Sequence, residues 1–110
     1  MKRGTSRRWL FRARTGSTDA NHAAIRDGLR KLGHWVQDLA GVGDGCPDLM
    51  VVAMRGDART ESAPVWLELK VGKGKLRASQ LDWRARAEAR GIRVATVRSL
   101  DEALRALEGR

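Results

Sequence analysis

Two stretches, 48–54 and 64–70, constrain the fold more than any other part of the chain. Both DLMVVAM and PVWLELK are dense in apolar and β-favouring residues. The segment between them, 55–63, is polar and carries Gly56 and Asp57, as a hairpin connection would. In an antiparallel pair the start of the first strand lies opposite the end of the second, so position 48 is expected to face 70, 50 to face 68 and 52 to face 66. Alternation then sorts the side chains. Leu49, Val51, Ala53, Val65, Leu67 and Leu69 fall on one face, all apolar, while Asp48, Glu68 and Lys70 fall on the other. A slip of one residue would turn three charges into the core, so the register is expected to be strongly specified.

Two carboxylates and an ammonium at one end of a sheet admit two readings. One is a cross-strand salt bridge, worth little at a surface. The other is a divalent metal site. Hard carboxylate oxygens hold Mg²⁺ through one or two protein ligands and leave room for water and a phosphate. Such an ion activates water for attack on phosphorus, and an ammonium can orient or stabilise the attacking group. The three residue types alone leave both readings open.

Charge narrows the class of partner. The net charge is +9, and six of those charges sit in residues 1–18, where Lys2, Arg3, Arg7, Arg8, Arg12 and Arg14 meet no acid. A polyanion is the expected partner, and nucleic acid before a membrane surface, because no amphipathic membrane helix accompanies the charge. No apolar run approaches a membrane span, and no apolar segment of a secretory signal follows the first charged residues. A chain of 110 residues with 42% apolar residues supports one domain with a modest core. Cys46 is the only cysteine, which excludes an internal disulfide and fits a reducing cytoplasm.

Residues 1–18 read as a basic arm ahead of a domain over 19–110. Trp9 and Phe11 inside it offer stacking groups to a strand of nucleic acid, or a plug for a dimer surface. Thr18 or Asp19 caps an expected helix over 21–32, with Ile25, Leu29 and Leu32 on one side and Gly33 after it. A strand is expected over 34–39. The run Gly41-Val-Gly-Asp-Gly45 matches neither nucleotide-binding glycine fingerprint, since it precedes a strand. Ser79 with Asp82 suggests a capped helix over 80–90 whose apolar side is Leu81, Trp83, Ala85 and Ala89. A strand over 92–97 and a helix after Ser99, capped with Glu102, complete the chain. The expected order, α-β-β-β-α-β-α, describes an α/β domain with a mixed sheet flanked by helices.

Cys-Pro-Asp48, nineteen intervening residues, Glu68-Leu-Lys70, and then Gln80-x-x-Trp83 opening a helix resemble the PD-(D/E)xK nuclease superfamily. More narrowly, the chain is similar to the small stand-alone VRR-NUC domains of phage and bacterial genomes. The likeness runs over about residues 19–107 and includes Gly43-Asp-Gly-Cys-Pro-Asp-Leu49 and Val94-Ala-Thr-Val-Arg-Ser-Leu-Asp-Glu-Ala-Leu104. It implies a restriction-endonuclease-like core and a Mg²⁺- or Mn²⁺-dependent endonuclease acting on DNA, plain or branched, in a bacterial or phage-infected cell. Asp48 and Glu68 would ligate the metal with the backbone carbonyl of Leu69, Lys70 would serve the attacking group, and Gln80 would support the site. Arg7, Arg8, Arg12 and Arg14, with Lys73, Lys75 and Arg77 beside the site, would hold nucleic acid. The family's first helix often adds an acid; here that stretch reads Asp19-Ala-Asn-His22, without glutamate, so Asp19, Asn21 and His22 are the candidates for that place. Family resemblance also suggests a homodimer. The competing reading is an inactive nucleic-acid-binding module that keeps the fold.

Overall fold

The elements of the computed structural model are α1 (Gly16–Lys31), β1 (Trp35–Asp38), β2 (Leu49–Val52), β3 (Val65–Leu69), α2 (Ala78–Glu88), β4 (Arg93–Val97) and α3 (Leu100–Leu107). Residues 16–54 and 63–108 are described, 16–19 by their backbone alone, so the arm and most of the expected 55–63 connection lie outside the described residues. The four strands form one mixed sheet in the order β1-β2-β3-β4. The first three run antiparallel, and β4 lies parallel to β3, with α2 as the crossover between them. This is the α/β order expected of the sequence. Among the described residues no helix is long and apolar enough to cross a membrane.

The apolar parity holds. Leu49, Val51, Val65, Leu67 and Leu69 are buried together with Ile25 and Leu29 of α1, Val36, Val97, and Ala103 and Ala106 of α3. Burial of a full aliphatic side chain is worth about 1.5–3 kcal/mol, which makes this face the main source of the fold's stability. The opposite face of the sheet is covered by α2: Trp66 packs against Trp83 with ring centroids 6.5 Å apart, and Thr96 accepts a hydrogen bond from Arg84.

The register differs from the expected one by two residues. Leu49 faces Leu67, Met50 faces Trp66 and Val51 faces Val65. Alternation fixes a register only in steps of two, since such a shift leaves every side chain on its own face. Here Asp48 takes the Leu69 N–H at 2.8 Å, a bond that belongs to the observed offset. Continued by one residue, the register sets Asp48 opposite Glu68, where the expected register set it opposite Lys70.

Two helices also depart from expectation. Helix α1 starts at Gly16, which leaves the expected caps Thr18 and Asp19 inside it. Helix α2 starts at Ala78 with Arg77 as its N-cap residue, so Ser79 and Asp82 do not form its cap. Its buried residues are Gln80 and Ala87, whereas Leu81 is 54% exposed. A polar anchor sets the helix's rotation: Gln80 is drawn inward to Glu68, and Trp83 and Ala87 follow at helical spacing. The last helix matches its expected cap, with Ser99 Oγ accepting from the Glu102 N–H at 3.1 Å.

Candidate functional site

The end of the sheet where β2 begins and β3 finishes collects the residues that the sequence singled out. Pro47 is buried and Asp48 is half-buried just before β2, while Glu68 is 5% exposed near the end of β3. Lys70 follows directly and stays half-buried. Its main chain is held from two sides: the Lys70 N–H donates to the Val97 carbonyl at 3.0 Å, and the Lys70 carbonyl accepts from the Asn21 amide at 3.4 Å. The Asp48 carboxylate is fixed in turn by the Leu69 N–H.

Gln80 joins helix to sheet with both ends of its amide. Its Oε1 accepts from the Arg77 N–H at 2.8 Å, closing the first turn of α2. Its Nε2 donates to Glu68 Oε2 at 2.9 Å. This is the reciprocal half of a capping box, and arginine at the N-cap position has no acceptor to supply the other half. The bond to Glu68 fixes one carboxylate oxygen and leaves the other oxygen of the group to face its neighbours.

Those neighbours oppose its ionisation. Burial pushes the Glu68 carboxyl up most, the charge of Asp48 and a hydrogen bond with it add to that, and Lys70 and Arg77 pull it down less, leaving a pKa of about 8. Burial and the same two carboxylates also push the Cys46 thiol up. Two hard carboxylates brought together, one of them desolvated, lack the positive charge that would let both ionise. A divalent cation is a fitting partner for this donor set. Among the described residues no group of three or more His, Cys, Asp or Glu side chains is placed to share one ion, so an ion here would rest on two carboxylates, main-chain oxygen and water. The two carboxylates, with Leu69 between Glu68 and Lys70, are the residues that could hold it.

The glycine-rich turn before Asp48 fits against α2. Gly43, Asp44 and Gly45 all have positive φ. A Cβ at Gly45 would stand 2.1 Å from the Ser79 carbonyl oxygen, so only glycine lets this turn reach the first turn of α2 where Gln80 sits. Asp44 is exposed on that turn.

The other candidates fall in different places. Lys73, Lys75 and Arg77 are exposed on the connection between β3 and α2, next to Lys70. Arg7, Arg8, Arg12 and Arg14 lie outside the described residues, as does the side chain of Asp19. Asn21 reaches the Lys70 carbonyl. His22 is drawn elsewhere, to Asp38 at 3.1 Å, where Arg26 also donates at 3.0 Å. Sequence reading missed Asp38 and Arg98. His22 and Arg26 sit one helical turn apart, which was a usable sign of a shared acid on the sheet. Arg98 donates through Nε to the Gly72 carbonyl at 2.7 Å and through Nη2 to the Gly74 carbonyl at 2.9 Å, and no local pattern announces it.

Comparison with known proteins bears on this geometry. The family model described as the VRR-NUC domain matches residues 7–101. A solved structure titled "VRR_NUC domain" superposes with a TM-score of 0.58 at 26% sequence identity, covering 84% of this chain and 92% of that one. The search of curated proteins gave no match.

Proposed function

This chain belongs to the VRR-NUC family, a nuclease-fold domain, and on that premise we propose that it is a Mg²⁺- or Mn²⁺-dependent endonuclease hydrolysing phosphodiester bonds in DNA. The observation that carries the proposal is the meeting of Asp48 with a buried Glu68, two residues before Lys70, at a sheet end bordered by basic side chains. A structural ion pair would match each acid with a base; here two acids meet first.

In this reading Asp48, Glu68 and the Leu69 carbonyl hold the ion. When bound, the ion supplies a Lewis acid that withdraws charge from the phosphate and makes water a better nucleophile. The Leu69 N–H keeps Asp48 turned toward Glu68, and the Gln80 amide keeps Glu68 in place. Lys70 brings an ammonium to the reacting phosphate, where it orients the attacking water and offsets charge that builds up on the phosphate oxygens. Lys73, Lys75 and Arg77 take the flanking phosphates, and the arm residues Arg7, Arg8, Arg12 and Arg14 extend the grip. A domain of this size grips two strands best as a pair, so a homodimer with selectivity for branched or nicked DNA is part of the proposal.

The test is a panel of labelled DNAs (supercoiled, linear, nicked, flapped and four-way branched) incubated with Mg²⁺, with Mn²⁺ and with a chelator. Cleavage of at least one substrate is expected with metal and none with chelator. A protein that leaves every member intact with Mn²⁺ present ends the proposal. The inactive-module reading draws on one observation: α1 gives the site the amide of Asn21, where the family often has an acid. Calorimetric titration separates the two, because an idle module binds DNA but takes up neither Mg²⁺ nor Mn²⁺.

A further inference from the structure

The connection from Lys70 to Arg77 is basic and glycine-bearing, a combination that leaves it free to take many shapes. In the structure its first part is a closed turn, with the Gly74 N–H donating to the Val71 carbonyl at 3.0 Å. One side chain from outside holds that turn. Arg98 stands at the junction of β4 and α3, and its guanidinium takes the Gly72 and Gly74 carbonyls at 2.7 and 2.9 Å. Its own N–H donates to the Glu102 carboxylate at 2.7 Å, within the cap of α3, so the base of the clamp is itself fixed. Lys73 lies between the two clamped carbonyls and Lys75 follows the second.

The same turn touches Lys70. A Cβ at Gly74 would stand 3.7 Å from Lys70 Cδ and 3.2 Å from the Val71 carbonyl oxygen, so the turn's backbone runs alongside the lysine's aliphatic stem. The shape of the turn therefore bears on two things at once: where Lys73 and Lys75 stand, and where the Lys70 ammonium is carried. A guanidinium suits this task because its planar fork offers two N–H groups in fixed directions, while a lysine ammonium on a flexible stem cannot span two carbonyls in the same way.

We propose that Arg98 is a positioning residue for DNA cleavage, clamping the 71–74 turn through the Gly72 and Gly74 carbonyls so that Lys70, Lys73 and Lys75 are presented together to the phosphates. This inference rests on the nuclease reading given above, but its physical half, the clamp, has a readout that needs no activity. The experiment compares the full-length protein with Arg98→Ala, Arg98→Lys and, as a charge-loss control on exposed α3 surface, Arg105→Ala. Amide hydrogen exchange is followed over residues 71–77, and KM and kcat are measured on the best-cleaved DNA with Mn²⁺ at one fixed salt concentration.

Arg98→Ala is expected to exchange at least about tenfold faster over 71–77 and to raise KM at least about fivefold, with an unchanged melting temperature. Arg98→Lys is expected to track the alanine variant in exchange and to recover only part of the KM, and Arg105→Ala to track the parent in both. Parent-like exchange in Arg98→Ala overturns the clamp whether or not the protein cleaves DNA. Full recovery of KM by Arg98→Lys overturns it as well, since charge alone would then suffice. A parent that cleaves no DNA refutes the nuclease reading and with it the role in cleavage, and the exchange comparison still decides whether Arg98 holds the turn.

Discussion

Asp38, at the end of β1, and Glu68, near the end of β3, are acids of one sheet on opposite faces, and their surroundings differ in sign. Asp38 meets His22 and Arg26 of α1 and the Ala40 N–H. Burial would push its carboxyl up, but those three partners outweigh it and hold the group below the usual carboxylate range. Glu68 is buried beside Asp48, and the cations nearby only partly offset burial and that second carboxylate. The difference separates two uses of an acid. One whose task is to tie α1 to β1 comes with its counter-charges built in. One that stands against another acid leaves a deficit that a proton or a cation must fill.

The largest test of that contrast is catalytic. Glu68→Gln and Lys70→Ala are each expected to lower DNA cleavage by at least about 100-fold, measured as initial rates with Mn²⁺. Glu68→Gln should meanwhile leave the metal-free fold as stable as the parent or more so, because a neutral amide needs no proton to sit buried beside the Asp48 carboxylate. A drop in melting temperature for Glu68→Gln would show that Glu68 belongs with Asp38 as a structural acid. Replacing Asp38 by alanine should give the mirror image. It strips His22 of its partner and Arg26 of one of two, costing about 1 kcal/mol of stability in denaturant titration. Cleavage should stay within about threefold of the parent, since Asp38 faces α1 and not the site.

The contrast also explains what the sequence could disclose. The apolar parity of 49, 51, 65, 67 and 69 was legible because a strand has only two faces, and one of them here contains no charge. The wording around Asp48, Glu68, Lys70 and Gln80 placed all four near one sheet end. The register was not legible beyond its parity, and that is why Asp48 was expected opposite Lys70 when it stands opposite Glu68. The rotation of α2 was hidden for a related reason. Hydrophobicity alone favours turning Leu81, Ala85 and Ala89 inward, but a glutamine bonded to a buried glutamate pulled the adjacent stripe in. The Arg98 clamp joins residues 24 and 26 positions apart, and a pairing of that kind comes from the assembled fold, not from any local pattern, whereas the spacing of His22 and Arg26 announced a shared acid without saying which one.

The last test, and the one that places the two acids side by side, is the dependence of stability on pH. An unfolded glutamate titrates near pH 4.3 and an unfolded aspartate near 3.9. Folding raises the Glu68 pKa to about 8, so in chelator the native state keeps a proton that the unfolded chain has lost. Stability associated with this group is therefore full below about pH 4 and declines as the pH rises, levelling once 8 is passed. Asp38 has the opposite sign, because folding lowers its pKa. Its contribution is present above about pH 4 and is lost as the pH falls through the folded-state value. Melting temperatures across pH 3 to 9 should thus decline as the pH rises from about 4 to 8 in a way that Glu68→Gln removes, and as it falls below about 4 in a way that Asp38→Asn reduces. Adding Mn²⁺ at pH 8 should restore what the parent loses with rising pH and leave Glu68→Gln little changed, because the cation then takes the place of the proton. A decline with rising pH that survives in Glu68→Gln would assign it to another group and leave Glu68 without the charge deficit on which the contrast turns.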